Sequence, residues 1–196
     1  MAAFFYAQLV AATGCLPFKV LSIILLTVNP MSKQLQQTLA LGAIAGMRSM
    51  SAPATISHVL SNNKSKAIGR SPLRFLQSPT TAKVLKGVAV SEMAADKLPG
   101  MPDRTAPPVL LGRILAGGLA GAAAYKAQKD SVVKGALIGG AVAVAATYGA
   151  LYLRKALGSS TGVPDPVWAV VEDSLVLKSA LAVAHDARRS TNNKLY

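Results

Sequence analysis

Six charged side chains fall within the stretch SEMAADKLPGMPDRTAPPVLLGR: Glu92, Asp96, Lys97, Asp103, Arg104 and Arg113. A second acidic pair, Glu172 and Asp173, is followed by Lys178 in VPDPVWAVVEDSLVLKSALAV, and Arg48 follows GAIAGM. The residues around these groups are mostly Ala, Gly, Val and Leu. A charge in such surroundings is costly, so its placement marks chemistry or helix pairing. Carboxylates there bind a cation or relay protons, while arginines hold that charge or grip an anionic group. The expected polar cluster is Glu92, Asp96, Arg113, Glu172, Asp173 and Arg48, with Lys97, Arg104 and Lys178 in support.

The composition says what holds these groups. Of 196 residues, 52% are hydrophobic and only 15% charged, with mean hydropathy +0.40. Soluble domains carry about 25% charge, so a membrane protein is favoured. Only 5% is aromatic, which leaves small side chains to make the apolar mass, as in closely packed helices within lipid. The net charge of +13 is clustered between apolar runs, and no RNA-binding or zinc-finger motif is visible. These cations read as topology signals facing anionic headgroups, with the lipid bilayer and not nucleic acid as partner. The lone Cys15 excludes an internal disulfide framework and a thiolate metal site. The glycines lack a Gly-Lys-Ser/Thr ending, so there is no Walker-type phosphate loop. No metal and no cofactor is expected.

An all-α, polytopic membrane bundle of about five helices follows. Residues 1–30 form an apolar extension interrupted by Gly14, Pro17 and Lys19. They read as an upstream addition or an extra helix, because MSKQLQQ from Met31 resembles an ordinary start. The first helix is expected over 33–60, kinked by Pro53 near its inner end. Residues 62–79 read as a polar loop. The second helix starts with Ser78 as cap and Pro79 at its first position, and stops at Pro99-Gly100. At about 1.5 Å per residue its nineteen residues or so reach roughly 29 Å, just enough to span, although a re-entrant or surface course also fits. The third helix runs from about Pro108 to Gln128. The fourth, the clearest membrane span, runs from Ser131 to Leu157 with Asp130 as cap. The fifth starts at Asp165-Pro166, carries Trp168 at an interface and ends near His185. The domain is expected over 31–187, with a disordered polar tail at 188–196. Gly42/Gly46, Gly117/Gly121 and Gly135/Gly139 have the GxxxG spacing of close helix contacts, within the chain or between copies in a homo-oligomer.

Sidedness follows from the cations outside the helix cores. One side collects Lys64, Lys66, Arg70, Arg74, Lys83, Lys126, Lys129, Lys134, Arg188, Arg189 and Lys194; the other collects Lys33, Lys97, Arg104, Arg154 and Lys155. The positive-inside rule places the loop 62–78 and the C-terminus in the cytoplasm. Glu92, Arg113 and Glu172 then each lie five or six residues from the outer end of a different helix, roughly 8–9 Å below the boundary at about 1.5 Å per residue. Asp96 and Asp173 flank that layer, and Arg48 and Lys178 fall nearer the middle. A competing pattern is an inverted repeat, since GAIAG (42–46) echoes GALIG (135–139) and a carboxylate-bearing helix follows each. Inversion would separate the two carboxylate pairs, so the depth argument is preferred.

At these residues the chain resembles a bacterial multi-pass membrane family catalogued as a domain of unknown function (four-one-two-six). The likeness rests on GAIAGMRSMSAPA (42–54), EMAADKLPGMPDRTAPPVLLGR (92–113), GALIGG (135–140) and VPDPVWAVVEDSLVLKSALAV (163–183). It covers about 35–185 and implies an integral protein, of the bacterial inner membrane, without implying an activity.

Three functions compete. In a small transporter or channel, the cluster lines a cavity opening outward to an unknown solute. In a structural or assembly protein, buried ion pairs fix helix register. In a membrane-embedded enzyme, the acids hold Mg²⁺ while Arg104 and Arg113 grip a lipid phosphate. The enzyme reading is weakest, because neither His58 nor His185 has a catalytic partner in sequence. These histidines read as a loop-end residue and a helix-end cation.

Overall fold

The computed structural model describes the backbone of residues 32–95, 106–161 and 165–192, and side chains over 32–95, 106–156 and 170–189. Contacts divide the chain into Met1–Gln36 and Gln37–Tyr196, and the second unit is the one described below. Asp96, Lys97, Asp103, Arg104, the expected helix stop at Pro99-Gly100, and the extension 1–30 lie outside the described residues.

All regular structure among the described residues is helical: α1 (Lys33–Met47), α2 (Ser51–Asn62), a short α3 (Lys66–Gly69), a 3₁₀ turn (Pro72–Gln77), α4 (Pro79–Ala95), α5 (Pro107–Ala127), α6 (Val132–Thr161) and α7 (Asp165–Asn192). The expected 33–60 helix is therefore two helices, and it breaks at 48–50, upstream of Pro53. The physical reason is the proline itself. Its ring would clash with the carbonyl four residues earlier, at Ser49, so a continuous helix stops before that point. Pro53 instead sits in the first turn of α2, where its missing N–H costs nothing.

The segment 62–78, expected as a plain loop, is folded. Ile68 and Leu76 are fully buried and anchor it. Ser57 Oγ donates to the Leu76 carbonyl at 2.9 Å, and Ser65 Oγ donates to the Ala127 carbonyl at 3.1 Å. Between α5 and α6 the chain turns at Lys129, whose φ of 65° is left-handed. The Asp130 amide reaches back to the Tyr125 carbonyl at 3.0 Å, which closes the C-terminal turn of α5. Ser131 Oγ, and not Asp130, faces the Lys134 amide of α6 at 3.5 Å; the Asp130 carboxylate accepts from the Ser131 amide at 2.6 Å. The last helix runs on past His185 through Arg188 and Arg189 to Asn192, so those residues of the expected tail are helical.

Glycine sets the spacing of the central helices. A Cβ at Gly117 would lie 2.6 Å from the Gly139 carbonyl oxygen, and one at Gly121 would strike the Gly135 backbone. On α1, a Cβ at Gly42 would meet Val142 and the Gly139 carbonyl within 2.9 Å, and one at Gly46 would meet Ala143 and Ala146. The motif 42–46 of α1 thus packs on α6 around 139–147, the motif 135–139 of α6 packs on Gly117 and Gly121 of α5, and these glycine faces meet helices of their own chain.

The distribution of polarity is unusual. Arg48 (2% exposed) and Arg113 are buried with Thr38, Ser57 and Thr147, among alanines of α5 and Leu41, Ile44 and Ile56. Leu115, Leu137, Leu153, Leu175 and Leu181 are all more than half exposed, with Leu137 at 69%. Two helices, Pro107–Ala127 and the Val132–Ala156 part of α6, are long and apolar enough to cross a membrane.

Candidate functional site

The interruption between α1 and α2 leaves backbone groups that a continuous helix would pair internally. The helical ladder continues as far as the Arg48 amide, which donates to the Ile44 carbonyl at 2.7 Å. Beyond it, the Ser49 and Met50 amides would reach the Ala45 and Gly46 carbonyls in an unbroken helix. Here both are claimed by one carboxylate of α4. Glu92 Oε1 accepts from the Ser49 amide at 2.9 Å, and Oε2 accepts from the Met50 amide at 2.8 Å. Glu92 thereby caps α2 from another helix, where a carboxylate also meets the positive end of the helix dipole.

The carbonyl side of the break is held as well. Arg113 Nη1, from α5, donates to the Gly46 carbonyl oxygen. Thr147 Oγ1, from α6, lies 3.0 Å from the same oxygen and 2.8 Å from its own-helix Ala143 carbonyl. The Gly46 carbonyl has lone pairs for both neighbours, while the single hydroxyl hydrogen of Thr147 is shared between the Gly46 and Ala143 carbonyls. Gly46 allows the approach, because any side chain there would collide with the backbone of α6.

Arg48 sits at the break and turns its guanidinium to α7, with Nη2 2.7 Å from Asp173 Oδ1. One residue earlier on α7, Glu172 Oε2 lies 3.8 Å from Arg154 Nη2 of α6. Arg48 is almost wholly buried and Asp173 is 17% exposed, so the pair is shielded from water. Shielding strengthens the attraction, but desolvation offsets much of it, and the net gain in stability is small. Loss of either partner leaves a buried charge uncompensated, which is costly.

The structure therefore gathers four of the expected residues, Arg48, Glu92, Arg113 and Asp173, around the chain at 46–50, while Glu172, next to Asp173 on α7, pairs with Arg154. It does so through the backbone, a route that spacing alone does not reveal. Glu92 and Arg113 each end on main-chain atoms of the α1–α2 break. Lys178 is exposed and does not join them. Asp96, Lys97 and Arg104 lie outside the described residues. Two participants escaped the sequence reading. Thr147 is a lone hydroxyl in an apolar helix, and its only signal is burial. Arg154, counted there as an outer-face cation, turns inward to Glu172. Among the described residues no three His, Cys, Asp or Glu side chains converge as metal ligands.

The histidines lie away from this centre. His58 of α2 and His185 of α7 line a separate cleft with Lys86 and Arg188. Lys86 Nζ donates to His58 Nδ1 at 3.0 Å.

Comparison with known proteins supplies one match. Residues 35–186 match a family described as a domain of unknown function (DUF4126). No curated protein and no solved structure matches the chain.

Proposed function

The chain belongs to the DUF4126 family, a membership that assigns no activity, and from its geometry we propose that it is a small integral membrane transporter or channel whose working element is the broken helix α1–α2. Two supports carry the membrane part. Leucines of α5, α6 and α7 face outward while arginines are buried, the reverse of a soluble domain. Two helices also have the length and hydropathy to cross.

The transport part rests on a single observation. Glu92, Arg113 and Thr147, from three helices, satisfy backbone groups that an unbroken helix would satisfy for nothing. Pro53 imposes the interruption, and charged side chains of other helices, instead of neutral caps, satisfy the backbone groups it frees. Discontinuous helices of this kind bind ions and small solutes in membrane carriers, because freed amides and carbonyls are ligands in waiting. Here the Glu92 carboxylate occupies the amide end and the arginine fork occupies the carbonyl end. An anionic solute would compete with Glu92 for the Ser49 and Met50 amides; a cation would compete with Arg113 for the Gly46 carbonyl.

The test is flux. Purified protein is placed in liposomes under imposed proton, sodium, potassium and phosphate gradients, with an interior dye or tracer for each. The expected outcome is that at least one gradient collapses faster with protein, and that Glu92→Gln abolishes the effect while keeping the helical circular dichroism spectrum. Equal flux from Glu92→Gln removes the break from the mechanism.

A second reading has its own observation. Arg48 ends on Asp173 and Arg154 on Glu172, opposite charges closed on each other. These pairs suit a structural or assembly role in which buried charge fixes helix register. Under that reading no gradient responds, and exchanging the two charges of a pair restores the stability that a single change removes.

A further inference from the structure

Starting beside the break, α2, α4 and α7 enclose a cleft of about 570 Å³, within the range of small-molecule and lipid-chain sites. Its walls are apolar, built from Ala54, Val90, Met93, Val176, Ala180 and Leu181. Along α7 the lining runs from Val176 to Arg188, roughly 18 Å at about 1.5 Å per residue. The two ends differ. At one lies Ser51, buried beside the helix break, whose hydroxyl has no hydrogen-bond partner among the described residues. At the other, His58, Lys86, His185 and Arg188 stand together, and Lys86, His185 and Arg188 are exposed. None of the lining residues is acidic.

We propose that this cleft binds an anionic phospholipid of the surrounding bilayer, with an acyl chain along the α2–α4–α7 walls and the phosphate against Lys86 and Arg188. The chemistry of the two ends selects this occupant. An acyl chain matches a long slot with mostly apolar walls, in which the Thr55 hydroxyl is spent on the Ser51 carbonyl of its own helix. A phosphate diester matches two cations at the mouth, the guanidinium through its fork and the ammonium as a point charge. Lys86, held against His58 Nδ1 at 3.0 Å, is fixed at the rim instead of sweeping through solvent. The mouth lies at the end of α2 that leads into the basic segment 62–78, the side expected to face anionic headgroups. A zwitterionic lipid would bring its own cation to the same place and bind less well. The inference rests on the membrane reading alone and is independent of transport.

The full-length protein in mild detergent is titrated with phosphatidylglycerol, phosphatidylcholine and soluble glycerol phosphate, following the thermal midpoint. Phosphatidylglycerol should bind about thirtyfold more tightly than phosphatidylcholine, since each cation near a phosphate contributes on the order of 1 kcal/mol. The double variant Lys86→Gln/Arg188→Gln, which alters exposed side chains only, should lose this preference. Ala180→Phe, which fills the slot, should weaken both lipids. Equal binding of the two lipids, a preference that survives in the double variant, or protection by glycerol phosphate equal to that by lipid would each overturn the assignment. Flux plays no part in the measurement, so its outcome is separate from that of the transport test.

Discussion

At the scale of single residues, the charges around the break act on main chain as much as on each other. Glu92 is the clearest case, since one carboxylate serves two consecutive amides that have no other role in the ladder. A buried amide left without an acceptor costs about 1–3 kcal/mol, so removal of this carboxylate threatens the entry into α2 as well as any solute site. Arg48 and Asp173 differ, because here charge meets charge at 2.7 Å. Arg48→Met should destabilise the protein by about 3–5 kcal/mol, as it strands Asp173 in a largely dry site. Arg48→Met/Asp173→Leu should recover most of that loss, because an apolar pair of similar volume avoids the desolvation cost. Chemical unfolding in mixed micelles, followed by circular dichroism, measures both. A double variant as unstable as the single would mean that the pair has partners beyond the ion contact.

At the scale of elements, proline and glycine decide the architecture. Pro53 forces α1 and α2 apart upstream of itself, and the break falls where Gly46 lets Arg113 and Thr147 reach the carbonyl. Glycines on α5 and α6 bring two backbones into direct contact, closer than any other residue would allow. Gly121→Val should therefore be among the most damaging single changes in the bundle, costing more than about 3 kcal/mol, since its Cβ would collide with the immovable Gly135 backbone. Gly149, whose added Cβ would meet nothing, provides the control: Gly149→Ala should be neutral or slightly stabilising. Thermal midpoints of the two variants in the same detergent decide the matter.

At the scale of the whole molecule, the proposed membrane reading carries an orientation that can be measured. On the proposed membrane reading, the exposed leucines face acyl chains and the basic segment 62–78 faces the anionic cytoplasmic surface. In a Cys15→Ser background, a cysteine introduced at Ser71 should resist a membrane-impermeant thiol reagent added to intact cells and react after the cells are opened. Labelling of intact cells would reverse the orientation and place the mouth of the lipid cleft on the outer side.

The sequence by itself determined the class of the molecule. Its helical, apolar, glycine-spaced and charge-poor character, its family, and the identity of the costly residues follow from composition and local pattern, because hydropathy and helix signals are short-range properties. The break was half legible: Pro53 announced a disturbance, while its position was decided upstream, by a steric clash four residues back. Only the tertiary structure decided what the charges meet. Glu92 on two amides, Arg113 on a carbonyl and Arg154 turned inward depend on where the backbone of one helix is interrupted beside the side chains of others. That is a long-range fact, since any of several buried partners would have satisfied each charge equally well from the sequence alone.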